Sequence, residues 1–253
     1  MSGVTPSDPG KIFDPDAERL ARLARRFYTE VDVVSHADGE GIALDGRDLK
    51  TPARRAVRLP RRSAAELVAA EWRAQGERID PSAMPVTRLV WTGIDRIGPD
   101  PRATHEEILG YAGSDLVCYR AEGPPVLVAR QAEAWDAMLD WLEAETGARL
   151  RTTSGIVHVT QDASALGRIG AVLAAMAPVR LAALHMAVVL TGSATLALAL
   201  ERGRLDAPAA WALARIDEAF QQEQWGEDAE AAARDAVRDT DLAAAEALMR
   251  ALD

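Results

Sequence analysis

Residues 181–200, LAALHMAVVLTGSATLALAL, run for twenty positions without a formal charge. Such a segment must be enclosed on every side, because a helix that is apolar all round has no face to give to water. Two environments can enclose it: a lipid bilayer, whose core takes about 20 apolar residues to cross, or the centre of a helical domain. The side chains favour the second. Alanine dominates, Thr191, Gly192, Ser193 and Thr195 form a small polar cluster, His185 interrupts the apolar surface, and strongly lipophilic residues are few. The run is therefore expected to be one helix at the middle of a core. At 253 residues and 48% hydrophobic content, the chain has the material to build that core.

Upstream the period changes. FYTEVDVVS alternates or runs β-branched, ADGEG reads as a turn, GIAL resumes the strand, and Asp45-Gly46 is a hairpin signal before RDLKT. AVRLP makes a last short strand. A short helix is expected before this sheet, around DAERLARLARRF.

The remainder reads as helical. Ser63-Ala64-Ala65-Glu66 has the form of a capping box opening a helix through Trp72 that ends near Gly76, and Thr104 with Glu107 has the same form. Pro85 is placed to start a helix with Val86, Leu89, Val90, Gly93, Ile94 and Ile97 on its apolar face. PVLVARQAEAWDAMLDWLEAETG predicts a long helix with Val128, Trp135, Met138 and Leu142 in one stripe and Gly147 as its stop. ARLRTTSGIVHVT is strand-like and either forms a hairpin of its own or returns to the first sheet. Helices are expected near 162–176, 179–201, 207–224 and 228–252. The fold class is thus α+β: a small N-terminal antiparallel β-rich domain, residues 1–84, followed by a larger all-helical C-terminal domain, residues 85–253, with the boundary at DPSAMP.

Several functional classes find no support. A net charge of −10 argues against nucleic-acid binding, which needs a positive surface. The charge is uneven: residues 201–253 hold 13 acids against 6 arginines, whereas 51–100 hold 9 bases against 6 acids, five of those bases being the arginines of RRAVRLPRR, residues 54–62. Such a run reads as a solvated face or as a partner surface. The single cysteine, Cys118, cannot close an intramolecular disulfide and fits no zinc-ligand spacing, and the N-terminus has no signal-peptide core, so a cytoplasmic protein is expected. There is no glycine-rich phosphate loop, HExxH or CxxC, and the stretch 191–195 lies inside a helix rather than at a nucleophile elbow. His36, His105, His158 and His185 are scattered without ligand spacing. Asp217, Glu218 and Glu223 are the carboxylates from which acid–base chemistry would have to be built. No cofactor or metal is expected.

Six tryptophans against three phenylalanines point instead to surfaces where a large apolar group meets a polar rim. Trp72, in AAEWRAQGE, and Trp225, in QQEQWGED, both sit among charges near predicted helix ends, as core anchors or as partner contacts. Spacings of three and four put Leu213, Ile216, Phe220 and Glu223 on one helical stripe. A carboxylate there is either the polar end of a binding surface or a buried group paired with an arginine of its own chain, such as Arg215 or one of residues 54–62.

RFYTEVDVV, ALDGRDLKTPAR, LVAAEWRAQGERIDPSAMPVTRL, YAGSDLVCYRAEGP, LVARQAEAWDAMLDWLEAETGA, LTGSATLALAL and IDEAFQQEQWGED occur in an order and spacing that resembles the assembly chaperones of F-type ATP synthase that guard the alpha subunit of the catalytic head. The resemblance covers residues 25–230. Gln222 stands where that family often has isoleucine, and the targeting sequence of its eukaryotic members has no counterpart here. The resemblance implies a non-enzymatic protein that holds a free alpha subunit until beta subunits replace it, without nucleic acid and without membrane insertion. It also implies that Glu223 matters most. Candidate partner-binding residues are Glu223, Gln224, Trp225, Gly226 and Asp228, with Trp72 from the EW motif. A generic helical interaction scaffold with another client is the alternative, and a carboxylate-based enzyme a more distant one.

Overall fold

The chain is described by a computed structural model for residues 22–226 and 229–253. Of the helix expected around residues 16–27, residues 16–21 lie outside the described residues, and the rest is not helical beyond Arg22: Arg25 instead bridges antiparallel to Arg78. A three-stranded antiparallel sheet comes first: β1 (Val31–His36), β2 (Gly39–Leu44) and β3 (Arg47–Asp48). The Asp45-Gly46 turn between β2 and β3 has positive φ at both residues, 46° and 74°, the handedness a tight hairpin requires. Asp45 tolerates it because its carboxylate accepts from the backbone N–H groups of Thr29 and Glu30 and from the Thr29 hydroxyl. The AVRLP segment joins the sheet only through isolated bridges, Ala56 to Lys50 and Leu59 to Glu40.

Among the described residues ten α-helices follow: α1 (Arg62–Arg73), α2 (Pro85–Thr92), α3 (Arg102–Gly113), α4 (Pro125–Thr146), α5 (Ala163–Ala174), α6 (Pro178–Thr191), α7 (Ala194–Glu201), α8 (Ala207–Ala214), α9 (Ile216–Trp225) and α10 (Ala229–Ala251). Pro85 opens α2 and Gly147, at φ 72°, closes α4, both as read from the sequence. The α+β class holds, with one addition inside the helical part. ARLRTTSGIVHVT supplies a two-residue strand, β5 (Thr153–Ser154), which pairs in parallel with β4 (Tyr119–Arg120); it is neither a hairpin nor part of the first sheet.

Other expectations are corrected. The uncharged run is two helices, because Gly192 at φ 67° ends α6 and the Ser193 hydroxyl accepts from Leu196 N–H to start α7. Residues 191–195 therefore form a helix–helix corner. The helix expected over 207–224 likewise breaks at Arg215. Neither capping box forms. α1 starts at Arg62, and Ser63 instead donates to the Ala251 carbonyl near the other end of the chain. α3 starts at Arg102, and Glu107 lies 2.9 Å from Nε2 of His185. In α4 the buried stripe is Leu127, Gln131, Trp135, Met138 and Leu142, with Val128 beside it.

One cluster of buried side chains runs from Tyr28 to Met249 across residue 84. Every residue of α7 from Ala194 to Leu200 is buried, whereas α6, the first half of the run, keeps an edge toward water at Val189, beside the partly buried His185 and Met186. Among the described residues no helix is long and apolar enough to cross a membrane.

Two carboxylates hold the helices in place. Glu71, on α1, accepts from Val86 N–H and from the N–H and hydroxyl of Thr87, capping α2 from another element. Asp115, fully buried, accepts from Val117 N–H and from the N–H and hydroxyl of Thr195 in the first turn of α7. Burial pushes both carboxyls above the usual carboxylate range against the pull of these hydrogen bonds.

Candidate client-binding face

Helix α9 is positioned by α4, which it meets antiparallel. Three polar links run from successive points of α4, one to the last turn of α8 and two to α9. Trp135 Nε1 donates to the Leu213 carbonyl at 2.8 Å, Gln131 donates to the Asp217 carboxylate, and Arg130 donates both amines to Glu223, at 2.7 and 3.0 Å. Arg130 also lies over the Phe220 ring, 5.7 Å from its centre. The guanidinium is therefore clasped between an aromatic face and a bidentate carboxylate, the geometry for which arginine is better suited than lysine.

This accounts for the stripe Leu213, Ile216, Phe220 and Glu223. Its first three members turn toward the core, and the fourth sits where that face reaches the surface. Glu223 is half exposed, not buried. Its partner is neither Arg215, which pairs with Asp235, nor an arginine of residues 54–62, where Arg58 pairs with Asp48 and Arg62 with Glu66. The Arg130 hydrogen bonds hold the Glu223 carboxyl below the usual range, and the same contact raises Arg130.

Beyond the pair the surface becomes apolar. Trp225 is 82% exposed, and Val126, one turn before Arg130 on α4, is 63% exposed. Gln224 and Gly226 are exposed beside Trp225, and Gly226, at φ 88°, turns the chain out of the helix. The helix end thus carries Glu223, Gln224, Trp225 and Gly226 together. Asp228 lies outside the described residues.

Trp72 does not join them. It is 4% exposed and packs against Tyr28 and Trp91, with ring centres 5.6 and 6.2 Å away, so its surface is spent inside the core. Of its two sequence readings, partner contact gives way to core anchor, because α1 turns this residue onto the sheet. The charged neighbours that made it look superficial serve the fold: Glu71 caps α2, and Arg73 donates to the Val31 carbonyl of β1. Sequence reasoning placed Phe220 beside Glu223 but missed Arg130 and Val126 as members of the face. Arg130 is 93 positions from Glu223, and no spacing rule connects them.

Comparison with known proteins agrees with this architecture. Residues 25–143 match the family described as ATP12 chaperone protein. The crystal structure of Atp12 from Paracoccus denitrificans is 43% identical, covering 91% of this chain and 99% of that one, with a TM-score of 0.86. The Atu1473 protein of Agrobacterium tumefaciens is also 43% identical, over 98% of this chain and 93% of its own, with a TM-score of 0.88. Protein atp12, mitochondrial, of Schizosaccharomyces pombe is 26% identical over 215 residues, which are 80% of this chain and 74% of that protein. The chain belongs to the ATP12 family of ATP synthase assembly chaperones.

Proposed function

We propose that the protein binds the free alpha subunit of the ATP synthase catalytic head and holds it, without catalysing a reaction, until beta subunits take its place. It acts in the cytoplasm, and the contact is made by the exposed end of α9, through Glu223, Gln224, Trp225 and Gly226 with Asp228 beyond them. The observation that carries this reading is Trp225. An indole 82% exposed at a helix end, next to a fixed ion pair, is an apolar anchor with a polar rim already in place. An unassembled subunit exposes surface that otherwise aggregates, and a chaperone must cover that surface and later yield it. A small anchor ringed by solvated charges suits exchange better than a large dry interface does.

The test is light scattering of purified alpha subunit held at an aggregating temperature, with equimolar chaperone. Wild type suppresses the aggregation. Trp225→Ala and Glu223→Lys, each shown to be folded by circular dichroism, do not. Full suppression by both variants would remove the α9 end from the client surface, and no suppression by wild type would remove the alpha subunit as client.

A further inference from the structure

A second surface lies on the opposite side of the sequence, between the first sheet and helices α1 and α2. It is a cleft of about 970 Å³. Its aromatic floor is the half-buried Trp91, backed by the buried Trp72 and Leu49, and at its lip stands Phe27, 71% exposed although it packs edge-on against Tyr28. Its rim carries the exposed cations Arg47, Lys50 and Arg54.

The charges around this cleft are not balanced. Of its two acids, Asp48 is paired with Arg58 and His36, and Asp45, held by the N–H groups of Thr29 and Glu30, sets a single negative charge against three cations. Arg47, Lys50 and Arg54 form no ion pair among the described residues. In a chain of net charge −10, three cations left open above an aromatic floor form a local positive site on a negative molecule.

The rim is also fixed in advance. Asp95 accepts from the Thr51 hydroxyl at 2.7 Å and from Ala53 N–H at 3.0 Å, and Arg55 donates to the Ile94 carbonyl at 2.8 Å. These bonds pin the 51–55 turn to the π-helical turn Gly93–Ile97 that continues α2, and hold Arg54 at a φ of 62°. A rim held this way loses little freedom when a ligand arrives.

We infer that this cleft binds an acidic protein segment, seating one large apolar side chain against Trp91 and Phe27 while flanking carboxylates meet Arg47, Lys50 and Arg54. Concavity and the aromatic floor call for an apolar side chain, and the open cations call for carboxylates. Nucleic acid fits less well, because the strongly negative remainder of the molecule repels an extended polyanion while a short segment meets only the local patch. The site is separate from the α9 face, so neither reading depends on the other.

The experiment is fluorescence anisotropy of a dye-labelled acidic hexapeptide of sequence EDLFDE, titrated with the full-length protein at low salt. Saturable binding is expected, weakening as sodium chloride is added. Arg47→Glu combined with Lys50→Glu and Arg54→Glu is expected to bind about tenfold more weakly. All three side chains are exposed, so the variant should keep the wild-type circular dichroism spectrum. The peptide EDLGDE, which lacks the aromatic ring, is expected to bind more weakly to wild type. Four results would each overturn the inference: no saturation by EDLFDE, equal binding of the basic peptide KRLFRK, tighter binding of a single-stranded oligonucleotide of six bases, or undiminished binding by the triple variant.

Discussion

Asp115 accepts from both the backbone N–H and the hydroxyl of Thr195, at 2.9 Å each, across 80 positions of sequence. The carboxylate is completely buried and sits at the positive end of α7, whose first-turn N–H groups lack partners within the helix. The link joins the GSDLVC and TGSAT segments and fixes α7 in the middle of the helical part.

Asp115→Ala leaves the N–H groups of Thr195 and Val117 buried without these acceptors, and opens a small void. Its expected cost is about 3 kcal/mol or more, from the desolvation of unsatisfied groups. Urea unfolding of the variant checks it; a loss no larger than that of a surface substitution would show that the cap is dispensable.

Glu71 and Asp115 both have carboxyls raised above their ordinary values by burial, so the folded state holds their protons more tightly than the unfolded chain does. Their contribution to stability is complete below the ordinary carboxylate range and declines as pH rises through the raised values. The lowered groups act in the opposite sense. Asp100, depressed to about 2 by Arg102, with Asp45 and Asp48, contributes stability above the ordinary range that is lost as pH falls through the depressed values. Urea midpoints measured across a pH series are expected to rise on mild acidification from neutrality and then collapse in strong acid. Glu71→Gln, which cannot titrate, should flatten part of that rise.

Gly93→Ala tests the packing of the π-helical turn against α6. A Cβ at residue 93 would lie 2.6 Å from Val179 Cα and 3.0 Å from the Pro178 carbonyl, and these are backbone atoms that cannot swing aside. Overpacking of this kind is expected to cost about 2 to 3 kcal/mol, read as a lowered thermal midpoint. Gly110→Ala is the control, since nothing lies within 4 Å of its Cβ position, and it should leave the midpoint near that of wild type.

Glu223→Gln and Trp225→Ala separate stability from client binding. Both side chains are exposed, and a solvated ion pair contributes little to folding. Both variants are expected to keep the wild-type melting temperature and to lose protection of the alpha subunit. A large fall in melting temperature with protection intact would make the Arg130–Glu223 clasp a structural device.

Much of the candidate face was legible in the sequence. EQWGED marked the end of a helix, and spacing placed Glu223 in line with Ile216 and Phe220, although Leu213, read as part of the same stripe, belongs to α8 across the break at Arg215. The partner of that carboxylate was not legible. Arg130 reaches it only because α9 docks antiparallel on α4, and the charges of RRAVRLPRR were as plausible on paper. The partner reading of Trp72 failed for the same reason, leaving the core-anchor reading: its charged neighbours signalled a surface, but Glu71 and Arg73 reach across to cap and tether neighbouring elements.

What rests on short-range sterics and burial could be read from the sequence: the Asp45-Gly46 turn, the start of α2 at Pro85, the stop of α4 at Gly147, and the burial of most of residues 181–200, because uncharged helices have little surface to give to water. Only the tertiary structure decided which groups answer one another across the chain. Asp115 with Thr195, Glu71 with α2 and Arg130 with Glu223 are hydrogen bonds between elements far apart in sequence, and their geometry exists only once the helices have packed.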